Sequence, residues 1–349
     1  MDVLDNKCPA CGAKITFNPK NQMWDCEYCG SKFSLEQMME YNNASSIKAN
    51  TQSDKTFKKL ENMDVYRCKN CGAEVIADET TTATFCVYCG STAILKDRIM
   101  NGIAPTKIIP FKKVKEDAIL AFKGLAKGRP LMPKLFNKPA NVEKISGVYI
   151  PFWAYNLGVE GNISFNATDI KRWRTYDYEY IKTDSYLSKR GGKLNFNGVL
   201  VDGSTRFADD LMDSLEPFNY DELVEYNHAY LSGFLAEKYD VDSDKAIDRA
   251  NKRVMNTAID VMKESVLHQT RIVATNDMHV TKKDCDYILL PVWMVNVKYK
   301  NKDYTFAMNG QTGEIVGNIP IDIGKTIVIS IILFAIIMTM VFLLFYFVR

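Results

Sequence analysis

Cys8-Pro-Ala-Cys11-Gly12 is followed, after fourteen intervening residues, by Cys26-Glu-Tyr-Cys29-Gly30; Cys68-Lys-Asn-Cys71-Gly72 is followed at the same spacing by Cys86-Val-Tyr-Cys89-Gly90. A Cys-x-x-Cys turn sets two thiolates on one metal, and two such turns supply the four ligands of a tetrahedral Zn²⁺. The glycine after each pair suits a backbone that must turn through positive φ. With protein sulfur at all four positions no place is left for a bound water, so each centre reads as structural rather than catalytic. The pattern recurs at an offset of sixty residues with equal gaps. It therefore predicts two zinc ribbons with one Zn²⁺ each, the first held by Cys8, Cys11, Cys26 and Cys29, the second by Cys68, Cys71, Cys86 and Cys89.

Disulfides are the competing use of eight cysteines. Met1–Lys7 contains no apolar run of a secretory leader, so a reducing compartment is expected, where paired cysteines mean metal. A ribbon of about 25 residues is too small to bury a stable core. Metal binding, worth roughly 10–16 kcal/mol, is then what folds it.

The chain has 349 residues, 47% of them hydrophobic, which suffices for two or three folded units and excludes global disorder. Net charge is +2, which gives no general attraction to nucleic acid or membrane. Residues 1–96 carry 11 Lys+Arg and 12 Asp+Glu. Two four-thiolate zinc centres would take this region to about −5. Phosphate recognition needs the opposite sign, which weighs against nucleic acid as a target.

At the other end, TIVISIILFAIIMTMVFLLFYFV (Thr326–Val348) runs without a charge between Lys325 and Arg349. At 1.5 Å per residue such a helix is about 34 Å long, enough to cross a hydrocarbon core. A single transmembrane helix over 326–348 is expected. The thiols then place the bulk of the chain in the cytoplasm, with the protein held at the cell membrane.

The first ribbon occupies 1–33. A short helix capped by Ser34 and a polar linker fill 34–66, and the linker is expected to let the ribbons move independently. The second ribbon occupies 67–96. An α+β domain follows over 103–322, and here a second duplication shows. Ile150-Pro-Phe-Trp153-Ala-Tyr-Asn156 matches Leu290-Pro-Val-Trp293-Met-Val-Asn296 at an offset of 140. Each copy follows a helix, about Val114–Lys127 and Ser243–Leu267, the second with a stripe of Ile247, Ala250, Val254, Ala258 and Val261. Each opens a β-hairpin, near 148–168 and 286–308, the second turning at Lys300-Asn-Lys302. The fold class is thus two small-β zinc ribbons, an α+β domain of duplicated α-β-β units, and one C-terminal transmembrane helix. Trp153 and Trp293 read as core anchors. Residues 171–240 read as an insert, with cations and aromatics at Lys171–Tyr180, an acidic surface segment at Asp209–Glu216 and a helix from His228 to Tyr239.

Catalytic constellations are missing from the sequence. The three histidines, His228, His268 and His279, form no metal pair, and no phosphate loop, nucleophile elbow or dinucleotide fingerprint occurs. Cys285 has no recognisable His partner. The chain is not expected to be an enzyme.

Taken with Gly147-Val-Tyr-Ile-Pro-Phe-Trp153, Asp202-Gly-Ser, Leu290-Pro-Val-Trp293 and Tyr304-Thr-Phe-Ala-Met-Asn-Gly-Gln-Thr-Gly313, the cysteine pairs make the chain resemble a bacterial family. Its members are membrane-anchored proteins with transcription-factor-IIB-type zinc ribbons, often labelled by analogy with primosomal helicases. The resemblance implies eight cysteine ligands and no catalytic residue. It also implies a scaffold that recruits proteins to the bilayer, with phage-shock-protein-A-like or flotillin-like membrane-stress proteins as companions. The alternative expectation is a membrane-associated nucleic-acid-binding regulator.

Overall fold

A computed structural model of the chain describes residues 7–45, 64–68, 74–77, 94–98, 103–125, 129–133, 145–300 and 302–348. The N-terminal module is a small antiparallel sheet of β1 (Thr16–Asn18), β2 (Met23–Asp25) and β3 (Lys32–Phe33), followed by α1 (Leu35–Ser45). Ser34 caps α1 reciprocally: its backbone N–H donates to Gln37 Oε1 at 2.9 Å, and the Gln37 N–H donates to Ser34 Oγ. Next come β4 (Asp64–Cys68), β5 (Glu74–Ala77) and β6 (Ile94–Arg98), with β4 central and antiparallel to both neighbours.

The body begins with β7 (Lys107–Ile108) and α2 (Lys115–Gly124), followed by the long strands β8 (Ser146–Thr175) and β9 (Tyr178–Asp202). A connection carrying the short α3 (Asp209–Asp213) and β10 (Val224–Glu225) leads to β11 (Leu235–Glu237) and α4 (Ser243–Glu264). The chain continues through β12 (Thr270–Asn276), β13 (His279–Tyr299), β14 (Lys302–Asn309) and β15 (Ile315–Gly317) to α5 (Ile323–Val348).

The two copies of the repeated motif lie against each other. In the antiparallel pair β8–β13, Ile150 stands opposite Leu290, Val148 opposite Val292 and Phe152 opposite Ile288. A pseudo-two-fold axis therefore passes between Ile150 and Leu290. It relates the parallel pairing of β11 to Val148–Tyr149 to the parallel pairing of β7 to Ile288–Leu289. It also relates the Gly203 N–H, which donates to Pro151 O at 2.8 Å, to the Gly310 N–H, which donates to Pro291 O at 2.8 Å. The indole N–H of Trp153 donates to Val241 O at 2.8 Å, and that of Trp293 to Lys113 O at 2.9 Å. Both tryptophans are buried core anchors tying strand to helix entry. The repeating unit is thus β-α-β-β, with β12 added between helix and strand in the second copy; it is one strand longer than the expected α-β-β, because two- and three-residue strands carry too little periodicity to read.

Both faces of the central strands are covered, which is why the motifs read as unbroken apolar runs rather than alternating ones. Val148, Ile150, Phe152, Ile288, Leu290 and Val292 pack under the 204–223 connection, through Phe207, Met212, Leu215 and Phe218. On the opposite face Tyr149, Trp153, Tyr155 and Tyr287 pack with α2 and α4. On α4 the buried residues are Ala246, Ala250, Val254 and Ala258, while Val261 is exposed, so the stripe sits slightly to one side of the expected one.

The first hairpin differs from the expected span 148–168. Residues 146–175 are one continuous strand, and Ile163 and Phe165, expected on a returning strand, lie on β8 itself. Within that span, Glu160-Gly-Asn162 is where β8 meets the β12–β13 connection. The Asp277 N–H donates to Asn162 O at 2.9 Å, and Gly161, at φ +138°, has Asp277 O 2.5 Å from where a Cβ would stand. Residues 171–202 consequently belong to the hairpin and not to an insert. The helix expected over 228–239 is a 3-10 turn, His228–Leu231, followed by β11. The expected independence of the first module is also overturned, since it packs on the body as described below. The linker residues 46–63 lie outside the described ones.

α5 is long and apolar enough to cross a membrane: over Ile323–Leu344 its mean hydropathy reaches 3.1, and none of its most apolar stretch is buried against the rest of the chain. It starts where the Asp322 N–H donates to Leu131 O at 2.8 Å, and Lys325 Nζ donates to Met132 O.

Candidate metal centre

Two turns build the site. The Cys8 N–H donates to Ala13 O at 2.7 Å and the Gly12 N–H to Cys8 O at 2.8 Å. In the second turn the Cys26 N–H donates to Ser31 O and the Gly30 N–H to Cys26 O, both at 2.9 Å. Gly12 and Gly30 each sit at φ +72° with open space around the position of a Cβ, so backbone conformation and not room demands glycine there. A residue with a Cβ costs roughly 1–2 kcal/mol in that region. Gly30→Ala should therefore weaken zinc binding about tenfold or more in a chelator competition, and Gly30→Asn should weaken it less.

The four sulfurs of Cys8, Cys11, Cys26 and Cys29 lie within 4.8 Å of one another, with Cys8 Sγ 3.6 Å from Cys29 Sγ and Cys11 Sγ 3.7 Å from Cys26 Sγ. All four are free thiols. A tetrahedron of Zn–S bonds of about 2.3 Å has edges of about 3.8 Å, so spacing and donor softness both fit Zn²⁺. Cys8 and Cys26 are buried and Cys11 and Cys29 exposed. The Ser31 hydroxyl and its backbone N–H hold the Cys29 thiol below its ordinary value, while, against the Ala13 backbone N–H, burial and the neighbouring cysteines push Cys11 above its own, so the cluster shares its protons unevenly.

Of the other four expected ligands, Cys68 ends β4, and Cys71, Cys86 and Cys89 lie outside the described residues. Cys285 is half-buried in β13 opposite Tyr155, and burial pushes its thiol up to about 11, which suits an inert packing residue.

What the cysteine spacing does not announce is how the module is seated. Trp24 is fully buried, and its indole N–H donates to Ala229 O of the body at 2.8 Å. Its ring centroid is 5.0 Å from that of Phe17 and 5.3 Å from that of Tyr230. The Phe17 N–H donates to Ser232 O at 3.1 Å, and Gln22 Nε2 donates to Phe111 O at 2.9 Å. A few residues on, β11 pairs antiparallel with β5, Ala236 opposite Ile76 and Glu237 opposite Val75. Residues 229–237 are thus the seat for both N-terminal cysteine-bearing segments. The available signal was Trp24 itself, a large aromatic that a free module of this size cannot bury.

The acidic segment 209–216 lies at the surface as expected, with Asp209 and Asp210 exposed, and it is ion-paired there. Arg249 of α4 bridges Asp202 at 2.5 Å, Asp209 at 2.9 Å and Asp213 at 2.7 Å, and Arg253 reaches Glu216 at 3.0 Å. Glu237, fully buried, accepts from the Ser204 hydroxyl at 2.7 Å and lies 3.2 Å from Arg206 Nε. These ion pairs staple the connection to α4 and β9. The pseudo-symmetric counterparts of Asp202 and Ser204 are the uncharged Asn309 and Gln311, which cap the 215–219 segment through hydrogen bonds to Leu215 O and Asn219 O.

No protein-family profile and no solved structure matches the chain. The uncharacterized protein YdjG of Bacillus subtilis (strain 168) is 36% identical over 325 residues, spanning 93% of this chain and 92% of its own. Identity at that level over nearly the whole of both molecules means a shared architecture: the chain belongs to the family of YdjG.

Proposed function

We propose that the protein is a membrane-tethered zinc-ribbon adaptor that binds protein partners at the cytoplasmic face of the membrane. The observation carrying this is a closed four-thiolate centre seated on a body that continues into a membrane-length apolar helix. A metal with four protein ligands organises a surface and offers no open coordination position for chemistry. In this reading Cys68, Cys71, Cys86 and Cys89 hold a second Zn²⁺. Tyr28 of the Cys26-Glu-Tyr-Cys29 turn is 84% exposed. Cys86-Val-Tyr-Cys89 carries a tyrosine at the same place, so each turn would present one aromatic anchor to a partner. Tethering raises local concentration, so weak contacts suffice. Membrane-stress proteins of the phage-shock-protein-A or flotillin type are the partners to test first.

Crosslinking and capture from native membranes tests this. Cys26→Ser should abolish partner recovery, and Tyr28→Ala, which leaves the ligands intact, should reduce it about tenfold. Recovery unchanged by both variants would remove the adaptor reading. Salt-sensitive retention of DNA or RNA would favour the nucleic-acid alternative instead.

A further inference from the structure

The outer part of β8 and β9 forms an arm that projects beyond the packed body. Trp173, Tyr178, Tyr180, Ile181, Tyr186 and Leu187 are all exposed on it, a concentration of apolar surface that a monomer rarely leaves in water. Within the arm Trp173 stands opposite Tyr180, their rings stacked at 5.5 Å and 7°. Among the described residues β8 is the one strand paired with β9. The outer edge of β9 from Tyr178 to Ser188 therefore offers a row of backbone donors and acceptors to another strand.

We propose that this edge is a self-association surface, on which β9 of a second copy of this chain pairs antiparallel about a two-fold axis at Thr183. The argument is charge complementarity. Side chains alternate between faces, so Tyr178, Tyr180, Lys182, Asp184 and Tyr186 share one face of β9. Centred on Thr183, Lys182 stands opposite Asp184 of the second copy, and Asp184 opposite its Lys182. Tyr180 meets Tyr186, Ile181 meets Ser185 and Asp177 meets Lys189. Shifting the axis by one residue in either direction places Lys182 on Lys182 or Asp184 on Asp184, which like-charge repulsion disfavours. Within β9 Lys182 and Asp184 bridge each other at 3.0 Å, and across β8 they face Lys171 and Asp169, charges of their own sign; pairing of β9 with itself about Thr183 gives each an opposite charge across the strands. Such pairing is isologous and closed, so it stops at a dimer. Its two-fold axis stands perpendicular to the sheet, so two copies anchored in one bilayer lie with their sheet faces along it.

The test uses full-length, zinc-loaded protein in detergent or nanodiscs, with oligomeric state measured by analytical ultracentrifugation. The wild type should dimerise. Lys182→Asp and Asp184→Lys should each weaken the dimer roughly tenfold, because each places like charges opposite one another twice. The double variant Lys182→Asp/Asp184→Lys should restore it, and mixing the two single variants should yield a heterodimer. Directly opposed residues have Cα atoms about 4.5–5.5 Å apart, within disulfide reach. Thr183→Cys should therefore form a 183–183 crosslink on mild oxidation, identified by peptide mapping. A monomeric wild type, a dimer indifferent to both charge reversals, or no 183–183 crosslink would each overturn the proposal.

Discussion

Stripping zinc from the folded protein should unfold residues 7–33 while leaving the β8–β13 core intact. Hydrogen exchange before and after chelation should show protection lost from Cys8 to Phe33 and kept at Val148–Trp153 and Tyr287–Trp293. The asymmetry follows from what holds each part. The cysteine module has three strands of two or three residues, and its internal apolar packing rests on Ile15, Phe17, Trp24 and Met38. Metal binding of roughly 10–16 kcal/mol is the dominant favourable contribution there. The body has two covered sheet faces packed by its own side chains. Cys26→Ser should reproduce the effect. Trp24 supplies a second readout: expelled from beside Tyr230, it moves from apolar surroundings to water, so its fluorescence should shift to the red. A module that stayed protected without metal would mean that docking on Ala229–Ser232 alone folds it. Trp24→Ala separates the two contributions. It should cost about 3–5 kcal/mol of docking yet leave zinc stoichiometry unchanged.

The second large effect is expected at Arg249. Arg249→Met should destabilise the body by about 3–5 kcal/mol, because it leaves Asp202 buried without its cation. Asp202→Asn should change stability by only about 1 kcal/mol: Arg249 keeps Asp209 and Asp213, and an asparagine already serves at the symmetric position 309. The pH dependence has a definite sign. Burial pushes the Asp202 carboxyl above its usual range even against the opposing pull of Arg249. A group whose folded value is raised gives its stabilisation below the unfolded value and loses it as pH rises through the folded one. The Arg249→Met defect should therefore be largest near neutral pH and shrink on acidification through the carboxylate range. Denaturant titrations at pH 7 and pH 5 measure this, and a defect that grows at pH 5 would contradict it.

The sequence announced those parts of the structure that repeat. Four cysteines at fixed spacing predicted one cluster correctly, and the 140-residue offset between Ile150 and Leu290 marked the two strands that pair about the pseudo-axis. The unbroken apolar run of α5 was legible from its length alone. The body hid its remaining features for physical reasons. β7 and β11 are too short to carry a period, so the four-element repeat looked like three. The seating of Trp24 depends on residues two hundred positions away, and the acidic run 209–216 revealed its partners only when α4 came alongside. Nothing local marks such long-range contacts.

The pseudo-two-fold also speaks to ancestry. A lone β-α-β-β unit leaves the edge of its Ile150-type strand bare, and two identical half-length molecules would close it on each other with the register seen between β8 and β13. Joining the halves into one polypeptide releases each from staying identical. One copy then extends its hairpin from Ser146 to Asp202 and recruits charges behind it, while the other keeps the shorter span from His279 to Asn309 and leads on to the apolar helix α5.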